Sequence, residues 1–209
     1  MSLKVYESLD FSEHITITKE LPLYKKILEG IDTSAILSEL ENYTPENQPN
    51  KPWFGSYSMD KVNEALEELT DIGFNIGGNY KQKQLCSYQT GFPWQTWQSG
   101  IGVYTQYVFQ NHLPGFHRPR YVEAKPGWQV REHTDWGTNS NYGLRCHLIL
   151  ETNDDCKHFI TGDDGVEHEL TFAPGEVWFY NVEKPHRAYN LGSTIRKSLS
   201  FELINDDLI

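Results

Sequence analysis

Residues 128–150, WQVREHTDWGTNSNYGLRCHLIL, join two extended runs across a break rich in Gly, Asn and Ser. In the second run, placed at 142–151, Leu144, Cys146, Leu148 and Leu150 fall on one face of a strand. Arg145, His147 and Ile149 fall on the other. Such a strand has its back on an apolar core and its front on a polar cavity. The first run, 128–133, is a second candidate strand. It leads into His133-Thr134-Asp135, whose spacing of two puts both side chains on one face of an extended segment.

The β texture extends both ways from this stretch. Further candidate strands are 101–109, 119–124, 157–161, 167–172, 176–182 and 195–204, divided by turn signals such as Pro126-Gly127 and Pro174-Gly175. Short strands in series without intervening helices point to an antiparallel double sheet of the jelly-roll kind. The first 75 or so residues read instead as helices and connections. One candidate is 33–43, with Ile36, Leu37 and Leu40 on one face. Another begins at Ser58-Met59-Asp60 and stops at Gly73. The expected fold is therefore mainly β with N-terminal helices, around a cupin-like double-stranded β-helix. A single domain is expected over 1–209, with 1–80 as helical and irregular support and 81–209 as the β-helix core that carries the site.

Composition narrows the function classes. The 18 Lys and Arg against 29 Asp and Glu give a formal charge of −11, which argues against nucleic acid or an anionic membrane surface as partner. No apolar run approaches the roughly 20 residues that span a bilayer. The start, MSLKVYESLDF, carries no apolar h-region of a secretory leader. Cys86, Cys146 and Cys156 are odd in number and lack CxxC spacing, so a reducing, cytoplasmic setting is expected.

A third metal-ligand candidate, His186, stands in WFYNVEKPHRAYNLG, after the strand GEVWFYN. Two histidines and a carboxylate occupying one face of an octahedron suit non-haem Fe(II), with the other positions open to a bidentate cosubstrate and O2. Ten residues past His186 comes RKSLSFEL, in which Arg196, Ser198 and Ser200 share one strand face and Leu199, Phe201 and Leu203 the other. An arginine on the inner face of a barrel is costly unless an anion meets it. Its fork suits a carboxylate, and the Ser198 hydroxyl adds a third hydrogen bond. The distal carboxylate of a dicarboxylic keto acid fits that description.

The series HTDW…LRCHLIL…PGEVWFYNVEKPHRAYNLG…R resembles the aspartyl/asparaginyl β-hydroxylase family of Fe(II)/2-oxoglutarate dioxygenases, over roughly residues 119 to 204. That family includes hydroxylases of free amino acids such as proline. The resemblance implies that His133 and His186 bind iron, joined by Asp135 as in the free-amino-acid members, and that Arg196 binds the 2-oxoglutarate C5 carboxylate. By the same resemblance His147 lies near the other carboxylate of the cosubstrate, and Arg145 meets a substrate carboxylate. The animal, peptide-hydroxylating members lack the acidic ligand that Asp135 supplies here. The loop between HxD and the R-x-H strand also looks longer than theirs. Both features weigh against a peptide substrate and leave the cosubstrate chemistry alone.

The expectation is a hydroxylase of a free amino acid or small amino-acid derivative, with an Asp or Asn side chain in a peptide as second choice. A halogenase is disfavoured because Asp135 fills the position that chloride needs. Two rivals use the same fold. A metal cupin without 2-oxoglutarate, a dioxygenase or isomerase, needs no Arg196, and an inactive cupin-fold binding module needs no intact ligand set. His112, His117, His158 and His168 read as solvated. Cys156-Lys157-His158 lacks a partner pair at zinc spacing. The aromatic segment 88–109 reads as core or lid packing.

Overall fold

The computed structural model describes residues 16–44, 79–88, 95–135 and 144–209. In chain order its elements are β1 (Tyr24–Leu28), α1 (Thr33–Leu40), β2 (Tyr80–Gln84), β3 (Cys86–Tyr88), β4 (Gln95–Trp97), α2 (Val103–His112), β5 (Phe116–Ala124) and β6 (Trp128–His133). There follow β7 (Leu144–Glu151), β8 (Cys156–Thr161), β9 (Glu167–Leu170), β10 (Val177–Tyr180), β11 (His186–Asn190) and β12 (Arg196–Leu203). The strands form a six-stranded sheet in the order β1-β10-β7-β12-β5-β2, a four-stranded sheet β6-β11-β8-β9, and the hairpin β3-β4. All pairings between these strands are antiparallel. This is the expected double-stranded β-helix.

Alternation decides which face of the larger sheet does what. Leu144, Cys146, Leu148 and Leu150 of β7 join Val177 and Phe179 of β10 and Leu199, Phe201 and Leu203 of β12 in one apolar cluster. Ile36 and Leu40 of α1 and Val108 and Phe109 of α2 belong to it too. The helices thus cover the outer face. The opposite face turns toward the smaller sheet, where Ile149, Ile160, Leu170, Phe172, Tyr180 and Val182 form a second cluster. Asn190, fully buried, stitches the two sheets together by donating from Nδ2 to the Ala124 carbonyl, 2.8 Å away.

Several expectations need correction. The 101–109 segment is not a strand; its helix runs from Val103 to His112. Val, Tyr, Thr and Phe favour strands, but tertiary context overrides that weak preference here. Gly102, at the helix entry, makes no side-chain cap. Glu39 of α1 accepts instead from the Tyr104 and Thr105 amides, both at 2.8 Å, and from Thr105 Oγ1 at 2.7 Å. A Cβ at Gly102 would stand 2.0 Å from the Glu39 carboxyl carbon, so only glycine admits this cap. The N-terminal portion is not wholly helical or irregular either, since β1 pairs with β10 at the edge of the larger sheet. His186 opens a strand, β11, where only a connection was expected. Helix 33–43 is present as α1, capped by Asp32, which accepts from the Ser34 and Ala35 amides. The helix expected from Ser58 lies outside the described residues, as do residues 142 and 143. Trp97 packs between Phe109 and Phe116, at 5.6 and 5.5 Å between ring centroids, so this part of the aromatic segment is core.

Phe201 is fully buried and meets the Phe109 ring edge-on at 5.1 Å. Phe201→Ala is expected to lower the unfolding free energy by about 3–5 kcal/mol in a denaturant titration. A loss below about 1 kcal/mol would mean that the helices do not depend on this face of the sheet.

Candidate active site

β6 and β11 lie side by side, with His133 directly opposite His186 and their rings 4.3 Å apart. The pairing carries one extra residue in β6: Ala188 faces Val130, and two positions earlier His186 faces His133. Strict alternation from the buried Trp128 and Val130 would send Glu132 inward. The bulge turns His133 inward in its place. Beyond the strand, the Asp135 amide donates to the Val182 carbonyl at 2.8 Å, which fixes the carboxylate beside the two rings. One ligand atom from each of His133, Asp135 and His186 lies within 4.8 Å of the others.

The chemistry of this donor set fits a metal ion. Each histidine has its Nδ1 against a main-chain oxygen, His133 on Arg131 at 2.8 Å and His186 on Lys184 at 3.0 Å, which leaves Nε2 for a ligand bond. Burial pushes the His186 pKa down to about 4, so this imidazole is neutral at physiological pH. Burial opposes charge on His133 most strongly, but the hydrogen bond with Asp135, the charge of that carboxylate and the Arg131 carbonyl together outweigh it and raise the pKa. Burial opposes ionisation of Asp135 as well. The His133 hydrogen bond and Arg145 prevail there, and hold the carboxyl well below the usual carboxylate range.

Between the sheets lies a buried polar region. Arg196 and Ser198, on the inner face of β12, are 2% and 0% exposed. Arg196 Nε and Nη2 and Ser198 Oγ have no partner among the described residues. Unpaired buried donors are costly, and a guanidinium with a hydroxyl two positions along the same strand face suits an anionic acceptor. Trp128 Nε1 and His158 Nε2 are also buried without partners. Phe172 packs against both sides of this space, 5.0 Å from the His158 ring and 5.9 Å from the Arg196 guanidinium. His147 faces inward from β7, and its Nε2 is 3.1 Å from the Tyr180 hydroxyl. Burial, then the nearby Arg196, hold His147 and His158 neutral by pushing their pKa values far down.

His158 and His117 were expected to be solvated; they are 6% and 3% exposed. In β8, Cys156, His158 and Ile160 alternate with more exposed neighbours, and this period of two was readable in CKHFIT. Trp128, by the same logic, shares a face with Val130. Sequence reasoning also missed Glu202, which continues the 196, 198, 200 series by one more step and has no exposed surface. It binds Arg120 Nη2 at 2.5 Å, Arg145 Nε at 3.0 Å and Arg118 Nε at 3.3 Å. β5 carries a bulge beside it: Ser200 faces Arg120, but two residues on Glu202 faces His117. Arg118, in the bulge, has a left-handed φ of 48°. Arg145, expected at a substrate carboxylate, here spans two protein carboxylates, with Nη1 3.3 Å from Asp135 Oδ2.

The model of the aspartyl/asparaginyl beta-hydroxylase family matches residues 32–206. No curated protein matches the chain. Among solved structures, it is similar to an oxidoreductase of the 2OG-Fe(II) oxygenase family from Burkholderia pseudomallei, with TM-score 0.46 and 10% identity over 83% of this chain and 90% of that one. It is also similar to a Pseudomonas putida prolyl-4-hydroxylase, with TM-score 0.38 and 16% identity over 84% and 100%. A Cupin 2 conserved barrel domain protein from Salinispora arenicola follows at TM-score 0.34 and 11% identity over 61% and 77%.

Burial works against a charge on Glu202, but Arg118, Arg120 and Arg145 together lower its pKa from 4.5 to about 2. A depressed carboxyl stabilises the fold above its unfolded pKa, and that contribution fades as pH falls toward the folded value. The wild type should therefore lose stability between pH 4.5 and about 2. Glu202→Gln should start less stable and show a flatter acid limb in equilibrium unfolding. Parallel limbs would mean that the arginines do not hold this carboxylate.

Proposed function

The chain belongs to the aspartyl/asparaginyl β-hydroxylase family, and on that footing we propose that its barrel binds Fe(II) and 2-oxoglutarate to hydroxylate a free amino acid or small amino-acid derivative. It is an enzyme of the 2-oxoglutarate–Fe(II) oxygenase type. The observation that carries the proposal is the buried Arg196–Ser198 pocket, with unpartnered donors, behind the His133, Asp135 and His186 cluster. A metal cupin without a keto acid would have no use for that arginine.

In this reading His133 and His186 hold iron through Nε2 and Asp135 through a carboxylate oxygen. Arg196 and Ser198 grip the C5 carboxylate of 2-oxoglutarate, and the neutral His147 lies near its other end. When bound, the metal and cosubstrate supply the oxidising chemistry: O2 is consumed, 2-oxoglutarate becomes succinate and CO2, and one oxygen atom enters a substrate C–H bond. The chain's own part is to place the groups and keep water out. Phe172, Tyr180 and Ile149 line the interior with apolar surface, and burial there strengthens each charged hydrogen bond. Three arginines meet the single carboxylate of Glu202, and this excess of positive charge supports a substrate with an anionic end. Of these, Arg145 is the one in contact with a proposed metal ligand. Among the described residues no helix is long and apolar enough to cross a membrane. The three cysteines are free and buried, which supports a reducing compartment such as the cytoplasm.

Adding Fe(II) and then 2-oxoglutarate to the protein without oxygen should produce a visible iron-to-keto-acid charge-transfer band. Arg196→Met removes one partner of a buried charge pair, so it should demand at least about thirtyfold more 2-oxoglutarate for the same band. His186→Ala and Asp135→Ala should abolish turnover through loss of iron. Iron binding without any band would remove 2-oxoglutarate from the assignment.

A further inference from the structure

Asp135 turns its two oxygens to different neighbours. Oδ1 lies 3.3 Å from His133 Nε2, on the side of the metal-ligand cluster, while Oδ2 lies 3.3 Å from Arg145 Nη1. Arg145 is itself pinned, because its Nε meets Glu202 Oε1 at 3.0 Å. Glu202 is inaccessible to solvent and is held in turn by Arg118 and Arg120 from β5. A connected chain therefore runs from the floor of the barrel to one oxygen of a proposed metal ligand.

We propose that Arg145 and Glu202 are positioning residues for the metal centre: Glu202 fixes the Arg145 fork, and the fork retains Oδ2 of Asp135 so that Oδ1 alone is offered to the ion. This goes beyond the proposed function and rests on its assignment of the metal ligands. A free carboxylate can chelate a cation with both oxygens and take a position that the cosubstrate or O2 requires. Retaining one oxygen prevents that. The arginine by itself would repel a divalent ion, and the Glu202 carboxylate offsets its charge. Orientation and neutralisation thus fall to two different residues.

The test uses Co(II) as probe in the absence of oxygen and 2-oxoglutarate, reading the dissociation constant and the visible d–d spectrum of the full-length protein. Arg145→Lys keeps the charge but not a fork that reaches both carboxylates. Glu202→Gln removes the anchor and its charge. Each is expected to weaken Co(II) binding about tenfold and to change the d–d spectrum. Combined, they should cost less than the product of the single effects, because both act through one contact. Should Glu202→Gln fail to fold by circular dichroism, Arg145→Lys alone decides the matter. Wild-type affinity and spectrum in Arg145→Lys, with only a raised KM for substrate, would overturn the proposal and leave Arg145 as a substrate contact. Co(II) binding that survives His186→Ala undiminished would overturn the ligand assignment beneath it, and the proposal with it.

Discussion

A carboxylate without solvent, Glu202, holds three arginines from two neighbouring strands, and the polar interior of the barrel is organised around it. Charges in a low-dielectric space persist only when paired and hydrogen-bonded. That condition ties β12 to β5 on one side and to β7 on the other. A slip of either strand by one residue would send an arginine into the apolar cluster under the helices and leave Glu202 short of partners. The ion cluster therefore specifies register as much as it contributes stability.

The six-stranded sheet is divided front from back, and the division links folding to chemistry. Its back face, Leu199, Phe201 and Leu203 among others, is sealed by α1 and α2. These helices are joined by the Glu39 carboxylate, which caps α2 from α1. With the back made rigid in this way, the front can carry groups that no small core would tolerate unpaired. Arg196 and Ser198 hold donors ready that no group among the described residues satisfies. The order of elements is thus also an order of causes, from helices to sheet to pocket.

Much of this was legible. The alternations in LRCHLIL and RKSLSFEL separate core from cavity residue by residue, and the burial of Leu144, Cys146, Leu148 and Leu150 on one face agrees with them. The metal-ligand candidates announced themselves by residue type and spacing, and the structure brings all three together. What was missed has physical causes. The α2 cap comes from a residue more than sixty positions away, so local propensity pointed to a strand. β2, YKQKQ, was not among the candidate strands, because two of the three residues on its inward face, Gln82 and Gln84, are polar. Glu202 was passed over because a glutamate among leucines suggests solvent. His158 carried its own signal in the alternation of CKHFIT, and that signal was outweighed by the polar residues before it.

Two extra residues, one in β5 and one in β6, sit on either side of the site. The one in β6 puts His133 rather than Glu132 opposite His186, and the one in β5 puts His117 rather than Arg118 opposite Glu202, while Arg118 and Arg120 both reach that carboxylate. Where the bulge sits, and not chain length alone, therefore decides which side chain of β6 faces the candidate site. Substituting Arg131 or Glu132, both exposed, leaves that parity intact, and deleting either would remove the bulge and leave a regular ladder in which His133 still faces His186. In an alignment of this barrel, a one-residue gap at the β6 bulge is therefore compatible with an inward-facing histidine at the candidate site.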